Sequence, residues 1–292
     1  MKKTIRGSLI FLIASMLLSG ICITGAAQKE TGIKPGKGNL VYDYPADKLV
    51  KYVTTSKVVQ NIDVNGQSMQ NNVNSIMGCT IKSLGMQEKN LKLEITIDTV
   101  GQLVESAMGS AGGGIADVEG KKFNMIITPK GKEVDFSGAN AISVAVPGSG
   151  SSTLGQSFAE FFPDLPEGKV KPGFTWTTND SSTSRTSTMT TWVLLKSDYQ
   201  YEGTEKAGKI KYDKITASLS GARKLKTQSQ GMDILVYGPF KGTITILFDQ
   251  KSGYFVKQSA TSSLSGTVEI TSPESMSFPV IMDISSVTEV KK

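Results

Sequence analysis

The sequence offers few side chains for nucleophilic or acid–base catalysis, because its 292 residues include no histidine. That absence excludes Ser-His and Cys-His nucleophile pairs, as well as His-ligated zinc and haem. Residues 155–159 (GQSFA) resemble a nucleophile elbow, but no histidine is present to complete a triad. The patterns Ser-x-x-Lys and Asp-x-Asp-x-Asp-Gly are also absent. We therefore predict a non-enzymatic protein with no catalytic residue, no metal site and no cofactor.

Three further features have structural explanations that are simpler than chemical ones. Residues 109–114 (GSAGGG) resemble a phosphate loop only in glycine content, since no Gly-Lys-Ser/Thr follows them, and we predict a connection there. Acid pairs such as Asp43 with Asp47 occur in any chain of this composition, and a glycosidase pair is recognisable only by its separation in space. Cys79 lies in an alternating run and is predicted to be a small buried hydrophobic residue.

The N-terminal residues have the order of a targeting segment. Residues 1–6 (MKKTIR) are basic, residues 8–18 (SLIFLIASMLL) are apolar, and small residues precede the end of the segment at Ala27. We predict a signal peptide over 1–27 and no transmembrane span after its cleavage. The bulky residue before Cys22 disfavours a lipid anchor at that cysteine, although this alternative and a retained membrane anchor stay open. We expect an exported protein, in the periplasm or on the outer cell surface.

The charge and cysteine content of the chain limit which partners it can bind and which interactions can stabilise its fold. The net charge is +6 and falls to +3 without the first 27 residues, which leaves Arg185 and Arg223 as the remaining arginines. Phosphate and base recognition depends strongly on arginine, so we expect no nucleic-acid partner. Only Cys79 remains after residue 28, which rules out an intrachain disulfide in that part of the chain. A chain of about 265 residues is nevertheless long enough to bury a stable core.

Hydrophobic periodicity predicts antiparallel β-structure along most of the chain. Residues 90–98 (NLKLEITID) alternate without error and place Leu91, Leu93, Ile95 and Ile97 on one face. Apolar residues on one face only are typical of an antiparallel sheet with one side in water. Similar runs cover residues 50–64, 67–82, 121–128, 186–195, 208–220, 240–249, 254–264 and 276–290.

Turn signals separate several of these runs. Residues 65–66 (NG) are the strongest short hairpin signal, because both central residues of a type I′ turn need positive φ. Residues 129–132 (PKGK) and 249–253 (DQKSG) also predict hairpin connections. The Ser/Thr-rich residues 181–191 (SSTSRTSTMTT) predict an exposed strand or a sheet edge, where hydroxyl side chains keep the edge soluble.

Helical spacing is limited to two short segments, residues 101–111 and 153–162. The predicted fold class is therefore mainly β: a large curved antiparallel sheet, half-barrel-like, with one or two short helices. The phrases KLEITIDTVG and KYDKITASLSG indicate a weak internal duplication. We predict one β-rich domain over residues 28–292, made of two similar halves at about 40–138 and 174–290. A Pro/Gly-rich crossing joins them, in one continuous sheet or in two packed sheets.

Two segments carry a resemblance to known proteins. Residues 165–176 (LPEGKVKPGFTW) and 244–256 (ITILFDQKSGYFV) resemble motifs of a family of secreted bacterial β-rich proteins of unknown function, and the likeness covers most of residues 40–290. More distantly, a signal peptide followed by a long antiparallel sheet with short helices is similar to the LolA/LppX-type lipoprotein-carrier superfamily. That resemblance implies a curved half-barrel enclosing a hydrophobic cavity. No catalytic residue carries over from either group.

The leading functional hypothesis is a non-enzymatic secreted cell-envelope protein that binds a lipid or another hydrophobic ligand. The ligand would lie in the concave face of the sheet, under lids formed by residues 101–111 and 153–162. The predicted ligand-lining side chains are Leu93, Ile95, Val104, Met108, Phe158, Phe161 and Phe162. The alternative is that these side chains only fill the core. The protein would then be a structural or protein-interaction module of the envelope, with envelope proteins as partners and no small ligand.

Overall fold

The computed structural model describes residues 38–291 apart from residues 47, 65, 108, 147–149, 187–188, 209, 230 and 273–274. The predicted signal peptide, Cys22 and the predicted ligand-lining Met108 therefore lie outside the described residues. The first ten strands are β1 (Gly38–Asn39), β2 (Leu49–Val64), β3 (Gln67–Gln87), β4 (Asn90–Ser106), β5 (Gly109–Gly114), β6 (Lys122–Ile127), β7 (Glu133–Asp135), β8 (Ser143–Val146), β9 (Gly150–Thr153) and β10 (Lys169–Val170). The remaining six are β11 (Phe174–Arg185), β12 (Met189–Ala207), β13 (Ile210–Ser229), β14 (Met232–Asp249), β15 (Tyr254–Ser272) and β16 (Met276–Val290).

Twelve of these strands form one antiparallel sheet. Its order is β11-β12-β13-β14-β15-β16-β2-β3-β4-β6-β7, and β5 pairs with the end of β4 beside β6. The described residues form two short α-helices, α1 (Ser137–Asn140) and α2 (Gly155–Phe158). The prediction of a mainly-β fold with a large antiparallel sheet and short helices is confirmed. The sheet is continuous through the pairing of β16 with β2, which joins the two predicted halves. The similarity of these halves stays a prediction.

The alternation read from the sequence corresponds to strand faces. The segment 276–290 forms β16, in which Phe278, Val280, Met282 and Ile284 all face inward and are buried. The turn that joins β2 to β3 contains Gly66, at a φ of 81°, whereas residue 65 of the predicted turn lies outside the described residues. Because this left-handed conformation suits glycine, the sequence signal and the backbone agree.

The predicted hairpin connections at residues 129–132 and 249–253 are also confirmed, whereas the predicted edge at residues 181–191 is correct only for residues 181–185. The Thr128 amide donates to the carbonyl of Lys132 at 2.8 Å, and the Gly253 amide donates to the carbonyl of Asp249 at 2.8 Å. Among the described strands, the hydroxyl-rich β11 pairs with β12 and is the first strand of the sheet, while residues 189–191 begin β12, where Met189 and Thr191 are buried. The side chains of β11 alternate between half-buried and exposed, as expected of an edge strand with one face in water.

One hydrophobic core fills the inner face of the sheet. It combines inward side chains of the long strands with aromatic residues from two segments outside the sheet, residues 40–44 and 154–165. Cys79 is buried on β3 within this core, as predicted. Each large apolar side chain taken out of water contributes about 1.5–3 kcal/mol to stability. With no disulfide described, this burial is the main source of stability.

The predicted helix over residues 101–111 is wrong, because residues 101–106 form the end of β4 and residues 109–111 lie in β5. The register between β3 and β4 shifts between Gly78 and Cys79, opposite residues 97–99. This bulge moves the buried positions of β4 from odd to even numbers, so that Val104 faces inward while Leu103 is exposed. Leu103 and Val104 lie on opposite faces of the strand, and this adjacent apolar pair gave the sequence a spacing that resembles that of a helix.

The glycine-rich segment predicted as a connection is strand β5. It pairs with β4 so closely that a Cβ atom on Gly112 would overlap the carbonyl oxygen of Gln102. The second predicted helical segment, residues 153–162, contains α2. Helix α2 therefore confirms a short helix there, whereas no lid forms from residues 101–106.

Candidate functional site

A partly enclosed cavity of about 170 Å³ lies on the inner face of the sheet. Lys132 and Glu133 at β7 line one wall, and Asp180 of β11 lines the opposite wall. Glu160 and Asp164, from the segment before β10, cover it. The floor consists of inner-face side chains of β12 to β15: Leu195, Ser197, Tyr199, Leu219, Ile244 and Gln258. Because β7 and β11 are the two ends of the sheet, the sheet curves until its ends face each other. We call this space the seam cavity.

Residues 159–165, which we call the strap, bridge the two ends of the sheet. On the β7 side, the amide of Leu165 donates a hydrogen bond to the carbonyl oxygen of Lys130 at 2.7 Å. On the β11 side, the indole N–H of Trp176 donates to the carbonyl oxygen of Asp164 at 3.2 Å. The strap therefore connects β7 to β11, which do not pair with each other in the described sheet. The Tyr42 hydroxyl also donates to the carbonyl oxygen of Pro163 at 2.9 Å, and Phe161, Phe162 and Leu165 are buried, so the strap is anchored in the core as well as at both ends of the sheet.

Burial raises the pKa of three carboxyl groups at the seam cavity, so that near neutral pH Glu133 is neutral, Glu160 is about half protonated and Asp164 is mostly ionised. Burial raises the pKa of Glu133 to about 9, and backbone hydrogen bonds oppose this effect. Burial raises the pKa of Glu160 to about 7 and that of Asp164 to about 6, in both cases with help from the charge of Asp180. Near neutral pH, Glu133 therefore donates as well as accepts hydrogen bonds.

Basic groups at this site are fewer than acids. Burial lowers the pKa of the Arg223 guanidinium, on the inner face of β13, to about 10, and the charge of Glu160 opposes that shift. Arg223 in turn lowers the pKa of Glu160, and Lys132 lowers that of Asp164. Each buried charge thus depends on a neighbour of opposite sign.

The raised pKa of Glu133 predicts a pH-dependent stability. A carboxyl with a native pKa above its ordinary value of 4.5 binds more protons folded than unfolded, so the free energy of unfolding falls as pH rises from about 4.5 towards 9. We expect Glu133→Gln to raise the free energy of unfolding by about 2–4 kcal/mol at pH 8, at about 1.4 kcal/mol per pKa unit. At pH 4.5 we expect little change. Urea unfolding at both pH values measures this.

The control for this experiment is Glu105→Gln, since Glu105 is exposed on the outer face of β4. Its effect should stay within about 0.5 kcal/mol at both pH values. An equal effect of Glu133→Gln at pH 4.5 and pH 8 would contradict the assignment of a raised pKa to Glu133.

Most of the predicted ligand-lining residues lie in the core behind the seam cavity. Leu93 and Ile95 are fully buried on the inner face of β4. Phe158 of α2 and Phe161 of the strap belong to one aromatic cluster in the core, with their ring centroids 5.2 Å apart. Among the predicted residues that the structure describes, Phe162 lines the seam cavity. Val104 is buried further along β4.

The seam carboxyls are the part of the site that sequence reasoning missed. Glu133, Glu160, Asp164 and Asp180 come from three separate elements, and their proximity depends on how the sheet curves. One local signal was present, because Glu160 interrupts the apolar run from Phe158 to Phe162 (FAEFF). An acid inside an otherwise buried run indicates a buried carboxyl.

A larger groove of about 880 Å³ crosses the outer face of the sheet. Strands β15, β16, β2, β3 and β4 contribute to it, and the glycines of β5 form one wall. Its lining is rich in hydroxyl groups and includes the exposed apolar side chains of Ile76 and Leu103 and the amine of Lys57. The walls thus combine polar and apolar groups on a surface open to solvent.

The described part of the chain contains no arrangement of three or more Cys, Asp or Glu side chains suited to a metal ion. A search of its helices for one long and apolar enough to cross a membrane finds none. The seam cavity thus places the neutral carboxyl of Glu133 and the partly ionised carboxyls of Glu160 and Asp164 above a mainly apolar floor. It can hold a molecule that has a polar end and an apolar body.

Comparisons with known proteins do not identify a family. No protein-family model and no curated protein matches the chain. A solved structure of Neisserial surface protein A is 5% identical, covering 82% of this chain and 96% of that chain with a TM-score of 0.21. OccK2 (OpdF) of Pseudomonas aeruginosa in complex with glucuronate is 8% identical, covering 86% of this chain and 100% of that chain, with a TM-score of 0.27. DynF of Micromonospora chersina is 6% identical, covering 90% and 92%, with a TM-score of 0.25. These TM-scores are too low to carry an argument, so the resemblance to LolA/LppX-type carriers stays a prediction.

Proposed function

We propose that this protein is an exported, non-enzymatic cell-envelope protein that binds a hydrophobic ligand through the seam cavity. The observation that carries the proposal is a cavity between the two unpaired ends of the sheet, with an apolar floor continuous with the core. A cavity of about 170 Å³ is smaller than the roughly 300–1,000 Å³ of typical ligand pockets. The ligand therefore enters only when the strap moves away from β11.

The chemistry of the seam cavity favours a ligand with a neutral polar end. Glu133, with a pKa near 9, donates a hydrogen bond to a hydroxyl or carbonyl group. The apolar body then lies on Leu219 and Ile244 in place of water. Movement of the strap carries Phe161 with it and uncovers Phe158, and both were predicted from the sequence to line the ligand.

A neutral apolar fluorophore tests this function. We expect N-phenyl-1-naphthylamine to bind saturably, with increased fluorescence, and a long-chain alcohol to displace it. Ser197 is buried on the cavity floor, and Ser197→Leu adds volume there. We expect this substitution to weaken probe binding at least about tenfold, because overfilling a closed space costs about 1–3 kcal/mol. Fluorescence titration gives the dissociation constants.

The matched control is Ser265→Leu, which places the same side chain on the exposed outer face of β15. It should bind the probe as the unsubstituted protein does. Circular dichroism establishes that both variants are folded. Failure of the unsubstituted protein to bind the probe, or unchanged binding by folded Ser197→Leu, would reject the seam cavity as the binding site.

A second candidate function is an envelope-protein interaction module without a small ligand. The outer groove of about 880 Å³ favours it, because that groove is open and exposes Ile76 and Leu103 beside hydroxyl groups. Interfaces of this mixed composition are typical of non-obligate protein contacts. Recovery of an envelope protein on immobilised chain, together with no ligand at the seam, would favour this function over the first.

A further inference from the structure

Twelve outward side chains on β12, β13 and β14 form a regular block. Cross-strand pairing places Trp192 beside Lys224, and Lys224 beside Tyr237. The three rows next to this one are Leu194, Ala222 and Pro239; Thr190, Lys226 and Leu235; and Lys196, Ser220 and Lys241. We call these twelve side chains the β12–β14 patch. Because the pairing is direct, they form one contiguous surface.

Large apolar side chains in the β12–β14 patch are exposed to water. Leu194 is 60% exposed and Tyr237 is 37% exposed. The ammonium group of Lys224 lies 5.6 Å from the centroid of the Trp192 ring, within the range of a cation–π contact. Trp and Tyr rings favour the boundary between water and lipid, because each combines an apolar body with a polar tip.

The β12–β14 patch also carries a net positive charge. Lys224, Lys226 and Lys241 contribute three positive charges, whereas Lys196 is neutralised by Asp198 at 2.7 Å. No acid belongs to the twelve side chains. The flanking Glu269 on β15 accepts a hydrogen bond from the Tyr237 hydroxyl at 2.7 Å. Further along the same outer face, Asp283 of β16 and Asp63 of β2 are exposed, and Asp283 lines a shallow groove together with Lys241 and Lys57.

We propose that the β12–β14 patch docks the protein on an anionic phospholipid bilayer. The lysines pair with lipid phosphates, and their stems lie along the surface beside the rings. Trp192 and Tyr237 enter the headgroup region, and Leu194 reaches the acyl boundary. The inference goes beyond ligand binding and does not depend on the seam cavity.

Partitioning onto vesicles tests the docking surface. The chain is used as recovered from the producing cells, with its N-terminus defined by mass spectrometry. We expect co-sedimentation with vesicles of phosphatidylglycerol and phosphatidylcholine at low salt, and loss of binding at high salt or with phosphatidylcholine alone. Lys224→Gln combined with Lys226→Gln should lower the partition coefficient about thirtyfold, since each lysine near an anionic surface contributes about fivefold. Leu194→Ser should lower it about tenfold.

The matched control comes from a second exposed apolar group at the other end of the sheet, where Leu84 and Met86 lie near Lys51 and Lys82. Lys51→Gln combined with Lys82→Gln removes the same charge and should leave partitioning within about twofold. Equal losses from both lysine pairs, or binding that ignores salt and headgroup charge, would overturn the proposal. So would an unbound chain whose β12–β14 patch instead forms a dimer in analytical ultracentrifugation. Failure of the fluorophore to bind leaves the docking result unaffected.

Discussion

Replacing Phe161 with alanine is expected to lower the free energy of unfolding by about 3–5 kcal/mol. The Phe161 ring centroid lies 5.5 Å from that of Tyr52, 5.2 Å from Phe158, 5.1 Å from Phe162 and 5.8 Å from Phe255. Truncation removes the buried ring and leaves a cavity that four large rings cannot fill without leaving their rotamers. Urea unfolding at neutral pH measures the loss.

The size of this loss matters because a domain is stable by only about 5–15 kcal/mol in total. Ile210→Ala is the matched control, since Ile210 is a large apolar residue that is half exposed at the start of β13. We expect it to change the free energy of unfolding by less than about 0.5 kcal/mol. A loss below 1 kcal/mol for Phe161→Ala would mean that the packing of Phe161 against its neighbouring rings does not hold the strap to the core.

Replacing Arg223 with methionine is expected to destabilise the protein strongly at pH 8 and weakly at pH 5. Methionine keeps most of the buried volume but removes the charge that lowers the pKa of Glu160. At pH 8, Glu160 must then hold an uncompensated charge or take up a proton, at a cost of about 3 kcal/mol. At pH 5 its carboxyl, with a pKa of about 7, is already neutral in the folded protein. Urea unfolding of Arg223→Met at both pH values measures the difference.

A double-substitution cycle separates the charge effect from lost packing. The charged groups that act on Glu160 are Arg223, Asp164 and Asp180, so removing both Glu160 and Arg223 charges leaves no buried charge between them. We expect Glu160→Gln combined with Arg223→Met to regain stability at pH 8, to within about 1 kcal/mol of the unsubstituted protein. Additive losses in the double variant, or a loss from Arg223→Met that does not depend on pH, would show that the two groups act separately.

The strands could be predicted because their signal is local. A period of two in the apolar residues fixes which side chains face the core, and this was sufficient for β16 and for the hairpin between β2 and β3. The end of β4 could not be predicted in the same way. The bulge opposite Cys79 depends on the partner strand, and it changes the face of every later residue, including Val104.

The candidate site could be predicted only in part, for a related reason. The aromatic residues of the strap are visible as an apolar run, and their burial follows from their type. The seam cavity instead depends on sheet curvature, which brings Glu133 of β7 and Asp180 of β11 to the walls of the same cavity. The spacing of residues in the sequence does not predict a contact between the two ends of a sheet. That contact depends on the summed twist and pairing of all the strands between them.

Native mass spectrometry of the gently purified chain, recovered from its producing cells, tests ligand binding at the seam most directly. We predict a population that carries the added mass of one apolar molecule, which a long-chain alcohol displaces. Glu133→Gln should retain this adduct and Ser197→Leu should lose it. A folded chain that is always free of an adduct, and that takes up no apolar molecule offered to it, would contradict the proposed function.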